Sequence, residues 1–243
     1  MREFWRGIEW NSAGLGEIFK DLQNKHKGAY KVKKALKFKP RVFFYCAFFA
    51  LFGALFLGCE DSKVELSDSK GASSSRIEEI ESLDKASYAG LENVFLDTKL
   101  ITPDSKPLVL IFGKNNCTYC DKFKDNLKAD SETKELLARD FSAYYINIDY
   151  TKTHEVKFGD DKNEPQKSVF IQTLDLAKQY QVRPTPTFIF ADSLGNAFFA
   201  YPGFLKPAQF RAILERIKDI KIVQKDSINA LSDELFKLVE NAH

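Results

Sequence analysis

The sequence predicts an α/β fold, with a mixed central sheet flanked by helices and an N-terminal membrane segment. From residue 76 onward, short β-rich runs alternate with segments whose apolar residues have helical spacing. The last two β-rich runs flank a short turn, which predicts an antiparallel hairpin beside parallel strands. An unbroken apolar run precedes all of these elements, and its length is sufficient to cross a bilayer.

The N-terminal apolar run covers residues 42–59 and contains no charged residue. Eighteen helical residues span roughly 27 Å, close to the hydrocarbon thickness of a bilayer. Residues 1–41 hold eleven Lys and Arg against four Asp and Glu. Because basic flanks stay in the cytoplasm, residues 1–41 are expected to be a cytoplasmic extension or a signal n-region, and the following chain is expected to be exported. The exported part holds more acidic than basic residues, which argues against nucleic-acid binding.

The end of the apolar run, "LFLGC", resembles a bacterial lipobox, because Gly58 and Cys59 match the residues around the lipidated cysteine. This resemblance implies lipidation at Cys59, and an uncleaved signal anchor is the alternative. Either anchor predicts a location on the periplasmic face of the bacterial inner membrane. Cys46, inside the run, is expected to be only a small hydrophobic residue. Residues 60–75 are polar and are predicted to be a linker.

The predicted exported domain spans residues 76–225 and is followed by a C-terminal helix within 226–243. The apolar run at 107–113 is typical of a strand buried on both faces. The polar residues 151–168 are predicted to form a loop in which His154 is solvated. The other predicted elements are, in order, a helical segment at 76–100, a helix at 121–141 with a break near Asp130 and Ser131, a strand at 141–150, a helix at 173–182, two strands around Leu194–Gly195–Asn196, and a helix that begins near Pro207.

Two cysteines, Cys117 and Cys120, have the C-x-x-C spacing and directly follow the buried strand. A structural zinc site needs about four ligands, and His154 has no partner at ligand spacing, so we expect no metal. Covalent haem attachment needs C-x-x-C-H, but residue 121 is Asp. The spacing therefore favours a redox pair, with an inert disulfide as the alternative, and no cofactor beyond the redox-active disulfide itself. At the start of a helix the dipole favours a thiolate on Cys117.

A second motif, "VRPTPTFIF", places two prolines directly before a predicted strand. The C-x-x-C at a strand–helix junction, followed about 65 residues later by Thr-Pro-Thr before a hairpin, resembles the thioredoxin superfamily. The resemblance covers roughly residues 88–220 and implies a thioredoxin-like fold. It also implies that Cys117 is the attacking thiol, Cys120 the resolving thiol and Pro186 a cis-proline facing them. Thr185 would offer its backbone to an extended substrate peptide.

The motif departs from thioredoxin itself, in which Trp precedes the first cysteine, Gly-Pro separates the pair and a buried Asp lies six residues upstream. Here these positions hold Asn116, Thr118, Tyr119 and Ile111. Thr118 and Tyr119, together with Thr before the cis-proline, resemble the periplasmic isomerases DsbC and DsbG. They also resemble periplasmic reducing thioredoxins of the SoxW kind and those that serve cytochrome c maturation. We therefore expect Thr118 and Tyr119 to contact substrate.

The resemblance implies a periplasmic reductase or isomerase of disulfides in exported proteins, with apocytochrome c among the expected substrates. A membrane electron donor of the DsbD or CcdA kind would keep the pair reduced. One alternative is a net oxidant of the DsbA kind, although residues 151–172 are too short and polar for the helical domain of that family. The other alternative is a redox-inactive, thioredoxin-like binding lipoprotein. Residues 60–87 are too short for an N-terminal dimerisation domain, so we expect a monomer, or a dimer formed in another way.

Overall fold

The computed structural model of the protein describes residues 69–158 and 168–242. The predicted basic extension, the apolar run and Cys59 lie outside the described residues. Within the described residues, no helix is long and apolar enough to cross a membrane. The membrane segment and the lipidation therefore stay predictions.

The described chain alternates helices and strands, as the sequence patterns predicted. Asp130 is the C-cap of one helix and the N-cap of the next, where the sequence predicted a break. The elements are, in chain order, α1 (Ser69–Ala86), β1 (Leu100–Ile101), β2 (Leu108–Gly113), α2 (Thr118–Ala129), α3 (Ser131–Asp140), β3 (Ser142–Asn147), β4 (Thr153–Lys157), β5 (Ser168–Gln172), α4 (Thr173–Gln179), β6 (Thr187–Ala191), β7 (Ala197–Pro202), α5 (Pro207–Ile217), a short 3₁₀ turn (Lys225–Ser227) and α6 (Ile228–Asn241).

The central sheet has the strand order β3-β2-β6-β7. Strand β2 pairs in parallel with β3 and antiparallel with β6, and β6 pairs antiparallel with β7. Every residue of β2, β3 and β6 is buried, because helices or the second sheet cover both faces. This confirms the predicted mixed sheet and the predicted hairpin.

A second, three-stranded sheet has the order β1-β4-β5, and the sequence did not predict it. The prediction of a polar loop at residues 151–168 was wrong over β4, where buried and more exposed residues alternate. Such alternation is typical of a strand with one solvated face. The outer face carries polar side chains, and for that reason the composition of the segment resembled that of a loop.

The prediction of a solvated His154 was also wrong, since His154 points to the inner face of this sheet and is 1% exposed. Its Nδ1 lies 2.6 Å from the Thr98 carbonyl oxygen and its Nε2 lies 2.9 Å from Thr173 Oγ1. Burial lowers the pKa of His154, and the positive charge of Lys152 adds to this effect. The imidazole is therefore a satisfied, neutral core group.

Helix α1 is held to the small sheet by a buried charge cluster around Lys152. Lys152 Nζ lies 2.7 Å from Asp84 Oδ2 and 2.7 Å from Glu81 Oε2. Burial alone would lower the pKa of Lys152, but the hydrogen bonds and charges of Asp84 and Glu81 raise it instead. Helix α1 begins at Ser69, so it takes in residues 69–75 of the segment predicted as linker.

The two faces of the central sheet pack against different elements. One face packs against α2, α3, α5 and α6 through a large aromatic core, in which Phe188 lies 5.0 Å from Phe123 and 5.6 Å from Phe210, centroid to centroid. The other face packs against α4 and the small sheet. The carboxyl ends of β2 and β3 lie at the same edge of the central sheet, and the turn that carries the C-x-x-C motif begins there.

Candidate active site

The two cysteines of the C-x-x-C motif form a disulfide, with their Cα atoms 5.2 Å apart. Strand β2 ends at Gly113, and Cys117 is the N-cap of α2, where its Sγ accepts a hydrogen bond from the Cys120 N–H at 3.2 Å. Cys117 is 7% exposed, whereas Cys120 is completely buried. Cys117 is therefore the more accessible sulfur, and Cys120 lies behind it in the first turn of the helix.

The turn between β2 and α2 is held by the end of the neighbouring strand β3. The Asn115 N–H donates to Asp149 Oδ2 at 2.8 Å, and Asn147 Nδ2 donates to Asn115 Oδ1 at 2.8 Å. Asn116 has a φ of +53°, in the left-handed region that asparagine tolerates better than most residues. Sequence reasoning missed these positioning residues. The available signal was the polar pair at the end of β3, because the carboxyl ends of parallel strands meet at one edge.

The Thr-Pro-Thr motif lies against the disulfide. The Thr185–Pro186 peptide bond is cis, and Pro186 is buried. The Thr185 carbonyl oxygen lies 3.5 Å from Cys117 Sγ, and the Thr185 hydroxyl donates to the same sulfur at 3.5 Å. The Gly203 N–H donates to the Pro186 carbonyl oxygen at 2.8 Å, so the β7–α5 loop holds the proline turn. The structure thus brings together two motifs that are far apart in the sequence.

The two residues between the cysteines are both exposed, and Tyr119 keeps 59% of its surface accessible. The Tyr119 ring lies 5.8 Å from the ring of Phe204, and Lys122 Nζ lies 5.2 Å from the centroid of the same Phe204 ring. Sequence reasoning missed Phe204. The sequence indicated Phe204 only through its position directly after Gly203, in the loop that holds the proline turn.

The electrostatic surroundings favour a thiolate on Cys117 once the disulfide is reduced. The N-terminus of α2 contributes its dipole and unpaired N–H groups, and Lys114 and Lys122 are exposed nearby. The negative charge of Asp121 would disfavour a thiolate, but this carboxylate is paired with Lys124 Nζ at 3.0 Å. In disulfide exchange generally, the attacking species is a thiolate.

Ile111 lies six residues before Cys117, at the position where thioredoxin itself has a buried Asp. Ile111 is completely buried. The hydroxyl of Tyr145, on β3, occupies the space that a side chain at Gly113 would fill. This hydroxyl has no hydrogen-bond partner within the described part of the chain, and burial raises the pKa of Tyr145. Gly113 is therefore required by the close approach of this tyrosine.

Across residues 69–158 and 168–242, no group of three or more His, Cys, Asp or Glu side chains could hold a metal ion.

Comparisons with known proteins bear on this geometry. The thioredoxin-like domain family matches residues 94–218. The alignment with a thioredoxin-fold protein from Helicobacter pylori has 39% identity, covers 65% of this chain and 96% of that one, and gives a TM-score of 0.57. A thioredoxin from Thermus thermophilus is 19% identical over 46% of this chain and 74% of its own, with a TM-score of 0.34. An exposed lipoprotein thioredoxin from Streptococcus pneumoniae is 19% identical over 48% of this chain and 87% of its own, with a TM-score of 0.30.

Of these three proteins, the one from Helicobacter pylori is similar enough in sequence and fold to bear on this chain. No curated protein sequence matches the chain significantly.

Proposed function

The chain belongs to the thioredoxin-like domain family, and from this premise we propose that it is a thiol–disulfide oxidoreductase that uses Cys117 and Cys120. The observation that carries the proposal is the asymmetry of the pair. Cys117 caps α2 and is the more accessible sulfur, whereas Cys120 is completely buried one turn later. Two sulfurs with such different access suit an exchange in two steps, attack followed by resolution.

The exchange begins with the reduced protein. The Cys117 thiolate attacks one sulfur of a substrate disulfide, so that a Cys117–substrate S–S bond forms while the substrate S–S bond breaks. The second substrate sulfur leaves as a thiolate and takes up a proton. Cys120 then loses its proton and attacks the Cys117 sulfur, which restores the intramolecular disulfide and releases the first substrate sulfur as a thiolate. Two electrons pass from the dithiol to the substrate.

In this proposal, Thr185 and Pro186 orient the substrate. The Thr185 backbone lies 3.5 Å from Cys117 Sγ, so an extended peptide paired with it would place its cysteine over that sulfur. The cis bond turns the chain so that the Thr185 backbone faces the disulfide. Thr118 and Tyr119, which are exposed between the cysteines, flank the same surface.

The proposed direction is reduction or isomerisation of disulfides in exported proteins, with apocytochrome c among the candidate substrates. Thr118, Tyr119 and Thr185 support this direction through their resemblance to periplasmic isomerases and reducing thioredoxins. In isomerisation, a substrate thiolate rather than Cys120 releases the mixed disulfide. In net reduction, the electrons that restore the dithiol come from a membrane thiol donor of the DsbD or CcdA kind.

The proposed location is the periplasmic face of the inner membrane, with the chain anchored through a lipid on Cys59 or through residues 42–59. The sequence of the apolar run supports this location. Incorporation of labelled palmitate into the wild-type chain, and its loss in Cys59→Ser, would support the lipid anchor. Equal labelling of both chains, or none, would leave the uncleaved segment as the anchor.

The activity is tested with two cysteine variants of the full chain. We expect Cys117→Ser to abolish reduction of a disulfide-bonded protein, because the attacking sulfur is gone. Cys120→Ser should instead accumulate mixed disulfides with its substrates, because resolution is blocked. Mass spectrometry of the trapped partners would identify the substrate class. If both variants exchange disulfides as fast as the wild type, the proposed function is wrong.

The direction is tested by the reduction potential of the pair. A value near that of thioredoxin, about −270 mV, supports net reduction, whereas a value near −120 mV is that of a DsbA-type oxidant. An intermediate potential near that of protein disulfide isomerase, about −180 mV, supports isomerisation. Recovery of activity from a scrambled disulfide protein, measured with the wild-type chain, separates isomerisation from reduction.

A further inference from the structure

The turn that joins β2 to α2 is held by hydrogen bonds rather than by apolar burial, because its three residues, 114–116, are exposed. Asn115 connects this turn to the end of β3 at two points. Its N–H donates to Asp149 Oδ2 at 2.8 Å, and its Oδ1 accepts from Asn147 Nδ2 at 2.8 Å. Asn115, Asn147 and Asp149, which we call the clamp, thus fix the part of the chain that leads into Cys117.

The clamp is anchored at the carboxyl ends of two buried strands. Asn147 is 2% exposed and lies opposite Gly113 in the ladder between β2 and β3. Its Oδ1 accepts from the Asp149 N–H at 3.1 Å, so both ends of its side-chain amide are hydrogen-bonded. The Ile148 N–H donates to the Gly113 carbonyl oxygen at 2.9 Å, which continues the strand pairing to the point where the turn begins. A clamp with this support can hold the turn in one position.

The position of the turn decides which groups the Cys117 sulfur contacts. Asn116 has a φ of +53°, a conformation that persists in a non-glycine residue only when the surrounding structure holds it. Directly after it, Cys117 Sγ accepts a hydrogen bond from the Cys120 N–H at 3.2 Å and another from the Thr185 hydroxyl at 3.5 Å. Such donors stabilise a thiolate more than a thiol, because a hydrogen bond to a charged acceptor is stronger. A displaced turn would take the sulfur away from these donors.

The two redox states of the pair depend on the clamp to different extents. In the oxidised chain, the covalent bond to Cys120 holds the Cys117 sulfur at the start of α2. In the reduced chain that bond is absent, so the position of the sulfur depends on the turn and the helix alone. Loss of the clamp should therefore destabilise the reduced thiolate more than the disulfide. A group that stabilises the reduced form makes the pair a stronger oxidant.

We propose that the clamp positions Cys117 in the reduced chain, where it keeps the sulfur on its N–H and hydroxyl donors, and that it thereby makes the pair more oxidising than the cysteines would be without it. This inference rests on the proposed oxidoreductase activity. Asn115, Asn147 and Asp149 are positioning residues that act through the geometry of the turn. The exchange itself stays with Cys117 and Cys120.

The carboxylate of Asp149 can act on Cys117 in two opposite ways. Its negative charge disfavours a thiolate, whereas the hydrogen bond that it accepts favours one through the turn. Because Asp149 is exposed, its charge is screened, and we expect the hydrogen bond to have the larger effect. Asp149→Ala removes both, and Asp149→Asn removes the charge but keeps an oxygen that can accept from the Asn115 N–H. The other charged groups on the elements around Cys117 stay in place in both variants, namely Lys114, Asp121, Lys122, Lys124, Arg183 and Lys206.

The first measurement is the pKa of Cys117 in the reduced, full-length chain in detergent micelles. Alkylation by iodoacetamide over a pH series, followed on Cys117 itself by mass spectrometry, separates this thiol from Cys46 and Cys59. For Asp149→Ala we expect the pKa of Cys117 to rise by about 0.7, which corresponds to the roughly fivefold effect of one hydrogen bond. Asn115→Ala, which removes the second bond of the clamp, should raise it as well. Asp149→Asn is the matched control and should not raise it.

The second measurement is the equilibrium of the pair with glutathione. Oxidation by glutathione disulfide forms the Cys117–Cys120 bond and breaks the glutathione S–S bond, and the two electrons and the protons of the dithiol pass to two glutathione thiols. At a pH where Cys117 is ionised in all the chains, Asp149→Ala should shift this equilibrium about fivefold towards the protein disulfide. That shift makes the reduction potential about 20 mV more negative. Asp149→Asn should lack the shift.

The outcomes separate the clamp from the proposed function. A wild-type pair that glutathione disulfide does not oxidise contradicts the proposed oxidoreductase activity. A wild-type pair that is oxidised, while Asp149→Ala and Asn115→Ala keep its pKa and its equilibrium, contradicts the clamp alone, even if urea unfolding shows a loss of stability. A lower pKa of Cys117 in both Asp149 variants would also overturn the clamp, because the carboxylate would then act through its charge. Asn115 and Asp149 are both exposed, so neither substitution removes a core contact.

Discussion

The two sheets of this protein are stabilised by different physical means. The central sheet consists of strands that are apolar and buried on both faces, packed against an aromatic core. The small sheet also buries one apolar residue from each strand, but it holds in addition two buried polar clusters, Lys152 with Asp84 and Glu81, and His154 with Thr98 and Thr173. Apolar burial is insensitive to pH, whereas buried charges and a buried imidazole are not. The disulfide site lies at the end of strand β2 in the central sheet, so the small sheet affects it only indirectly.

The largest effect is expected from breaking the central sheet. Phe188→Ala would remove a completely buried ring that packs against Phe123 and Phe210. We expect the free energy of unfolding to fall by about 3–5 kcal/mol, the usual result for Phe→Ala in a core. Urea unfolding measures the change. A loss below about 1 kcal/mol would mean that the core collapses around the missing ring.

The second effect concerns the charge cluster of the small sheet. Asp84→Ala would leave buried Lys152 with Glu81 as its remaining carboxylate, and we expect about 3 kcal/mol of destabilisation. Hydrogen exchange should quicken in α1, β4 and β5 before it does in β2. The double variant Asp84→Ala, Lys152→Met is the control and should recover part of the loss, since it removes the buried cation and leaves only Glu81, whose side chain is 16% exposed, without its partner. Uniform acceleration across both sheets would show that they unfold as one unit.

The third effect is a pH dependence localised to the small sheet. The pKa of His154 is lower in the folded protein than its ordinary value near 6.5, because burial disfavours the imidazolium. The unfolded chain therefore binds more protons, and the stability from the neutral imidazole is present above pH 6.5 and falls as the pH drops below it. The slope is at most about 1.4 kcal/mol per pH unit. Thermal unfolding between pH 7.5 and 5 would measure it, and His154→Gln should lack it.

The smallest effect compares two adjacent tyrosines on β3. The Tyr144 hydroxyl donates to the Thr102 carbonyl at 3.0 Å and accepts from the Thr102 N–H at 3.1 Å. The Tyr145 hydroxyl has no such partner in the described residues. We expect Tyr144→Phe to destabilise the fold by about 1 kcal/mol and Tyr145→Phe to stabilise it by a similar amount, because an unpaired buried hydroxyl is unfavourable. Chemical denaturation of both variants would give the sign of each change in the free energy of unfolding. A destabilised Tyr145→Phe would reveal a partner for that hydroxyl.

The parts of the site that could be predicted from the sequence are those with local signals. A strand, a C-x-x-C and a helix adjoin one another in the chain, so the placement of Cys117 at the start of α2 follows from neighbouring residues. Phe204 carried no comparable signal. Its contact with Tyr119 depends on where the β7–α5 loop lies, and that position is set by the pairing of β6 with β7 and by Gly203.

The same distinction explains the small sheet. The central strands were recognisable because full burial demands an unbroken apolar run. Strand β4 alternates, and its inward positions include His154, a residue type that is more often exposed. A buried imidazole is satisfied at that position because the Thr98 carbonyl oxygen and the Thr173 hydroxyl lie within hydrogen-bond distance. Neither residue is close to His154 in the sequence.

The sequence by itself determined the α/β plan, the mixed sheet, the break at Asp130 and the motif that places a cysteine sulfur at a helix N-terminus. These features follow from periodicity and capping, which act over a few residues. Only the tertiary structure decided that Thr185 faces Cys117, that Tyr145 fills the space beside Gly113, and that Phe204 packs against Tyr119 next to Cys120. Those contacts join residues distant in the chain, and their geometry is set by how sheets and helices pack rather than by any local pattern.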